Sequence, residues 1–252
     1  MKYIGVLDSG IGGLTVTEKL REEMPHENVV FIADTKNCPY GSKDNETIRK
    51  LVDSLLDKIS QFDLKAFAFG CNTMDGIVGK EIAERLNIPV ISIIEPTARK
   101  AALATINNKI AVLATEAAIR SNKYVECISK YNEDAEVYAI SCPKLVPLAE
   151  DGRYSKDDKD VMDALNEYLK DVKDVDTLIL GCTHYPYFTE AIKEIMDVNI
   201  ISSSDTVVEE VKKQIKPETG EGSYAYYVTD NEEFFTRKIK TLLKKDLTIK
   251  KI

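Results

Sequence analysis

The chain has 252 residues, 44% of them hydrophobic and 30% charged, with a formal net charge of −8. This balance suits one large or two small globular domains and argues against general nucleic-acid binding. Apolar runs fall short of a membrane span, Asp8 comes too early for a secretory signal, and five separated cysteines (38, 71, 127, 142 and 182) predict reduced thiols in the cytoplasm.

A first strand is expected over Lys2–Leu7, running into Asp8-Ser9-Gly10-Ile11-Gly12-Gly13-Leu14 and a helix from Thr15 to Met24. The glycines do not fit the dinucleotide fingerprint; the loop reads as a tight turn whose N–H groups, with Asp8 and Ser9, face a small anion at a helix start. A second strand, Asn28–Ala33, ends at Asp34 and a loop with Cys38-Pro39-Tyr40-Gly41-Ser42. Pro-Tyr-Gly is turn chemistry that also puts a phenol over a pocket. Cys38 has no charged neighbour in sequence and reads as structural. A helix over Asp44–Gln61 aligns Ile48, Leu51, Val52, Leu55, Leu56 and Ile59 on one face. Ala66-Phe67-Ala68-Phe69-Gly70-Cys71-Asn72-Thr73 follows: a buried-strand run, a glycine, a thiol and a polar pair. A helix to Asn87 and a strand over Ile88–Ile94 come next, and Glu95-Pro96-Thr97 reads as a crossover out of this first unit.

The second unit repeats the plan. Its first strand, Lys109–Leu113, enters Ala114-Thr115-Glu116, without the glycines of its counterpart. A helix runs through Cys127, a strand covers Ala135–Ile140, and Cys142 to Gly152 forms a two-proline loop containing Glu150. A helix over Asp157–Asp171 leads to Thr177-Leu178-Ile179-Leu180-Gly181-Cys182-Thr183-His184. A helix from Ser202 to Lys216, a strand over Tyr224–Thr229 and an amphipathic helix over Asn231–Lys245 close the chain. The basic residues from Arg237 onward read as a solvated face. The pairs Tyr3/Lys109 and Val30/Glu136 share an offset of 106, and the two thiols are 111 apart. A repeat of about 100 residues points to two similar domains.

Residues just past the carboxyl end of a parallel strand face the ligand crevice. Cys71 and Cys182 both occupy such places, with Asp8, Glu150 and His184 on the same edge as proton partners. Three readings compete: acid/base groups on opposite faces of a substrate carbon, metal ligands with His184, or small buried hydrophobes. A metal needs three or four ligands, and the only other histidine, His26, lies in a charged segment. A catalytic disulfide has no Cys-x-x-Cys to form it.

The combination of Asp8-Ser9-Gly10-Ile11-Gly12-Gly13-Leu14, Pro39-Tyr40-Gly41, Cys71-Asn72-Thr73 and Gly181-Cys182-Thr183-His184-Tyr185-Pro186 resembles the signatures of bacterial glutamate racemases. These belong to the cofactor-independent aspartate/glutamate racemases. The resemblance runs from residue 3 to about 235. It implies an α/β fold of two similar domains, each a mostly parallel sheet flanked by helices, with pseudo-two-fold symmetry and the site in the cleft between them. The domains would be 1–95 with 206–252, and 96–205. One cysteine removes the α-proton of glutamate and the other reprotonates the opposite face, with no cofactor and no metal. Cys71 would serve the D-side, assisted by Asp8, and Cys182 the L-side, assisted by His184 with Glu150 nearby. Ser9, Pro39, Tyr40, Gly41, Asn72, Thr73 and Thr183 would hold the substrate, together with Asp8 and His184. A homodimer supplying D-glutamate for peptidoglycan is implied, with no nucleic-acid or membrane partner. Three positions depart from the family's habit: Met74, Thr97 and Ala118, the last where a threonine hydroxyl would reach the substrate. A racemase of another specificity, such as aspartate, or a non-catalytic small-acid-binding descendant is the alternative.

Overall fold

The computed structural model describes residues 1–243 and 247–252. Two wholly parallel sheets carry the fold. The first is built from β1 (Tyr3–Asp8), β2 (Val29–Ala33), β3 (Leu64–Phe69) and β4 (Val90–Ile91), interleaved with α1 (Leu14–Glu23), α2 (Asn45–Ile59) and α3 (Asn72–Arg85). α4 (Ile94–Ala104) leads to the second sheet, of β5 (Lys109–Ala114), β6 (Glu136–Ser141), β7 (Thr177–Gly181) and β8 (Asn199–Ser202). Its connections are α5 (Glu116–Arg120), α6 (Lys123–Tyr131), α7 (Leu145–Glu150), α8 (Lys159–Leu169) and α9 (Thr189–Lys193). The chain then returns through α10 (Ser203–Gln214) to add β9 (Tyr224–Val228), α11 (Glu232–Leu243) and β10 (Ile249–Lys251).

The sheet orders are β10-β9-β2-β1-β3-β4 and β6-β5-β7-β8. With β9 and β10 set aside, the two orders are the same, so the sequence repeat is a repeat of topology. The central strands of each sheet are buried along nearly their whole length, as expected of short apolar runs covered on both faces. Gly70 and Gly181 have one shared reason. A Cβ at Gly70 would lie 2.9 Å from the Leu7 carbonyl oxygen, and one at Gly181 3.0 Å from that of Leu113. Leu7 and Leu113 are themselves repeat partners, so both thiols follow a backbone approach that only glycine permits.

Several local expectations change. The strand expected over Ile88–Ile94 shrinks to two residues because Asp75 captures the chain beyond it. Its Oδ2 accepts from the Ile93 and Ile94 N–H groups at 2.9 Å each and from Ser92 Oγ. That cap starts α4, so Glu95-Pro96-Thr97 forms a first helical turn rather than a crossover loop; Pro96 needs no N–H partner there. The stretch from Cys142 to Gly152 holds a helix too: Pro147 falls in the first turn of α7 and Glu150 at its end. β10 was not expected. Lys244 and Lys245, placed in the last helix from sequence, lie outside the described residues.

Candidate active site

Each sheet has a switch point where the connections leave in opposite directions: between β1 and β3, and between β5 and β7. Ligands bind outside the strand ends at such places. Asp8-Ser9 and Cys71 occupy the first, Thr115 and Cys182 the second, and the two edges face one cleft. Ser9, Pro39, Tyr40, Gly41, Cys71, Asn72 and Thr73 line it from one side; Thr115, Val146, Cys182, Thr183 and His184 line it from the other. Every candidate residue except Asp8 and Glu150 is on this wall, and those two stand directly behind it.

The thiols have different company. Cys71 precedes the first turn of α3, and its sulfur is 3.7 Å from Ser9 Oγ. Burial pushes its pKa up to about 12, with the Asp8 charge adding to the effect. Cys182 Sγ is 3.8 Å from His184 Nδ1, and His184 Nε2 is 2.8 Å from Glu150 Oε1. The other Glu150 oxygen accepts from Lys238 Nζ at 2.8 Å. Burial alone would discharge the His184 ring, but its bonds to Cys182 and Glu150 outweigh that and raise it to about 10. Burial likewise opposes charge on Glu150, yet His184 and Lys238 bring it down to about 2. The pair is therefore ionic at neutral pH: a charged ring between a sulfur and a carboxylate.

Asp8 is 1% exposed. Its Oδ1 accepts from the Gly10 N–H at 2.6 Å and its Oδ2 from the Thr183 hydroxyl at 3.2 Å. Burial raises it to about 7, against the pull of His184 and these two donors. Asp8 thus reaches Cys71 through its field, while the hydroxyl touching that sulfur is Ser9. The glycine loop explains the close packing: a Cβ at Gly12 would lie 2.3 Å from Thr183 Oγ1 and 2.6 Å from His184 Nδ1.

Other expectations are corrected in detail. The Tyr40 hydroxyl turns away from the cleft and donates to Asp34, so the ring lines the cleft and the phenol does not. The Asn72 side chain is held from both ends of its amide, donating to Ser203 at 3.0 Å and accepting from Tyr124 at 2.6 Å. Cys38 is not remote: a Cβ on Gly10 would meet its sulfur at 2.7 Å and Glu150 at 3.2 Å. Met74 and Ala118 are buried and neither lines the cleft. Thr97 bonds to Thr206 and to the Ile93 carbonyl, joining α4 to α10. The hydroxyl that does face the cleft beside Ala118 is Thr115, 2.7 Å from that of Thr73. Sequence reasoning missed it although the signal was present, since Thr115 stands 106 residues after Ser9. Val146 and Lys238 were missed as well, and Lys238 belongs to the helix face read as solvated.

Comparison with known proteins gives the family and the fold. A glutamate racemase of Oceanobacillus iheyensis is 36% identical over 99% of this chain and 96% of its own length. The crystal structure of glutamate racemase isoform RacE1 from Bacillus anthracis superposes with a TM-score of 0.95 at 32% identity, covering 100% of this chain and 97% of its own. The glutamate racemase of Francisella tularensis, solved in complex with D-glutamate, gives 0.91 at 33% identity, with 100% and 97% covered. The family described as Asp/Glu/Hydantoin racemase matches residues 4–231, and the chain belongs to it.

Proposed function

We propose that this protein is a glutamate racemase that interconverts L- and D-glutamate with two thiols and no cofactor. The observation that carries the reading is the pair of cysteines at equivalent strand ends on one cleft, each with its own polar partner. In the L-to-D direction the α C–H bond breaks and its proton passes to the Cys182 sulfur. The electron pair left behind spreads into the α-carboxylate. The Cys71 S–H bond then breaks and its proton forms the new C–H bond on the opposite face. The reverse direction exchanges the roles. Cys71, held as a thiol by burial, suits the donor role in the first case. The His184 ring offers the Cys182 sulfur a donor and a compensating charge.

The substrate's carboxylates are bound by hydroxyls and helix-start N–H groups at Ser9, Gly41, Asn72, Thr73, Thr115 and Thr183, and its ammonium by the Asp8 side. The enzyme works in the cytoplasm as a homodimer and supplies D-glutamate for peptidoglycan. Its domains divide as 1–95 with 206–252, and 96–205.

The test incubates L-glutamate with purified enzyme in deuterated water, with no cofactor added, and separates the enantiomers by chiral chromatography with mass detection of α-deuterium. D-glutamate should appear carrying α-deuterium while the remaining L-glutamate stays largely protonated early on. Faster turnover of aspartate than glutamate would overturn the substrate, and α-deuterium entering L-glutamate first would overturn the two-thiol mechanism.

A further inference from the structure

The last helix reaches the catalytic relay through Lys238. Lys238, on α11, places Nζ 2.8 Å from Glu150 Oε2 and 4.8 Å from the centre of the Phe234 ring. The lysine and glutamate side chains are 20% and 21% exposed. Glu150 therefore has each oxygen committed to a different cation, His184 on one and Lys238 on the other. A carboxylate held at one oxygen swings about its side-chain torsions; one held at both has a single orientation. That orientation aims His184 Nδ1 at the Cys182 sulfur. The groups facing Glu150 come from several elements: Asp8 and Cys38 from the loops after β1 and β2, His184 and Tyr187 from the segment after β7, and Lys238 from α11. Among these, Lys238 is the one cation besides His184.

We infer that Lys238 is a positioning residue for the proposed racemisation: gripping the second oxygen of Glu150, it fixes the carboxylate against His184 and so the ring against Cys182. The inference rests on the two-thiol reading above. It also makes the return of the chain to the first sheet part of the reaction, because α11 arrives at the relay only by that return. A cavity bordered by Gly10, Cys38, Glu150, Phe234 and Lys238 lies beside the lysine, so a small cation can reach its place when the side chain is cut back.

The experiment compares K238M, K238R and K238A with the wild type in the full-length protein. Enantiomers are equal in energy, so kcat/KM must fall by the same factor in both directions; about tenfold is expected for K238M, the ratio carried by one lost charge-assisted bond. K238R should restore most of it. The primary isotope effect with α-deuterated substrate should rise for the enantiomer whose proton goes to Cys182 and fall for the other. Ethylammonium should rescue K238A. A K238M enzyme with wild-type kcat/KM and wild-type isotope effects overturns the inference, as does equal loss in K238R and K238M with no rescue. The downfield ring N–H proton resonance of His184 tests the positioning apart from activity: it should broaden in K238M and persist in K238R. If the wild type fails to racemise glutamate while that resonance behaves as expected, the reaction falls and the positioning stands.

Discussion

Asp8→Asn should stabilise the protein at alkaline pH while ruining its site. A carboxyl whose folded-state pKa is raised contributes nothing unfavourable below its unfolded value, because both states are then protonated. Between the two values unfolding releases a proton, so stability falls as pH rises, and above the folded value the penalty is constant. For Asp8 the window runs from the ordinary aspartate value of 3.8 to about 7. Three pH units at about 1.36 kcal/mol each make the full penalty about 4 kcal/mol, of which about 2.5 kcal/mol develops between pH 5 and 8. Asparagine cannot ionise and keeps both bonds, accepting from the Gly10 N–H and donating to the Thr183 hydroxyl.

Thermal unfolding of both forms at pH 5, 6, 7 and 8 reads the difference, and comparing them cancels the titration of His184 and Glu150. The melting advantage of the variant should grow by about 5–10 °C from pH 5 to pH 8 for a chain of this size. A difference that stays flat over that range would mean Asp8 ionises at its ordinary value, and the account of its burial would be wrong. Racemase activity of the variant should fall most at pH 8, where Asp8 carries its charge, and least at pH 5, where the wild-type carboxyl is already protonated. Stability gained by removing a buried charge is the usual counterpart of a functional carboxylate.

Cys71→Ser and Cys182→Ser should each end racemisation, since a hydroxyl is a far weaker base near neutrality; a serine enzyme with most of its activity by polarimetry would refute the roles. Gly12→Ala places a methyl 2.3 Å from Thr183 Oγ1 and 2.6 Å from His184 Nδ1, so kcat should fall about tenfold to a hundredfold with little change in fold by circular dichroism. Thr115→Val keeps the shape but removes the hydroxyl paired with Thr73 at 2.7 Å; KM for glutamate should rise about tenfold, and an unchanged KM would remove Thr115 from the binding wall.

Much of this was legible because the chain writes its plan twice. Glycine before each thiol follows from a close pass over Leu7 and Leu113, so the motif and its position in the fold have one cause. The repeat even marked Thr115, had its offset been applied to Ser9. What stayed hidden depended on where side chains turn. No sequence pattern says that the Tyr40 hydroxyl prefers Asp34, or that Asn72 spends its amide on Ser203 and Tyr124. Asp75 shortened a strand through a cap made with residues 17 to 19 positions away, beyond any local rule. Lys238 reads as one more surface lysine until the topology brings α11 against Glu150.

The two halves agree in backbone and differ in the groups that stand beside their thiols. Equal strand orders put the sulfurs on opposite walls of one cleft. The groups beside the sulfurs differ: a hydroxyl lies 3.7 Å from Cys71 and the His184 ring 3.8 Å from Cys182. The cleft is meanwhile closed by polar bonds between the halves: Asp8 to Thr183 at 3.2 Å, Thr73 to Thr115 at 2.7 Å, and Tyr124 to Asn72 at 2.6 Å. A carboxylate oxygen entering between two hydroxyls can accept from both in place of their bond to each other. In the proposed reaction the count of hydrogen bonds is then kept or raised when a substrate carboxylate takes the place of the bond between the Thr73 and Thr115 hydroxyls.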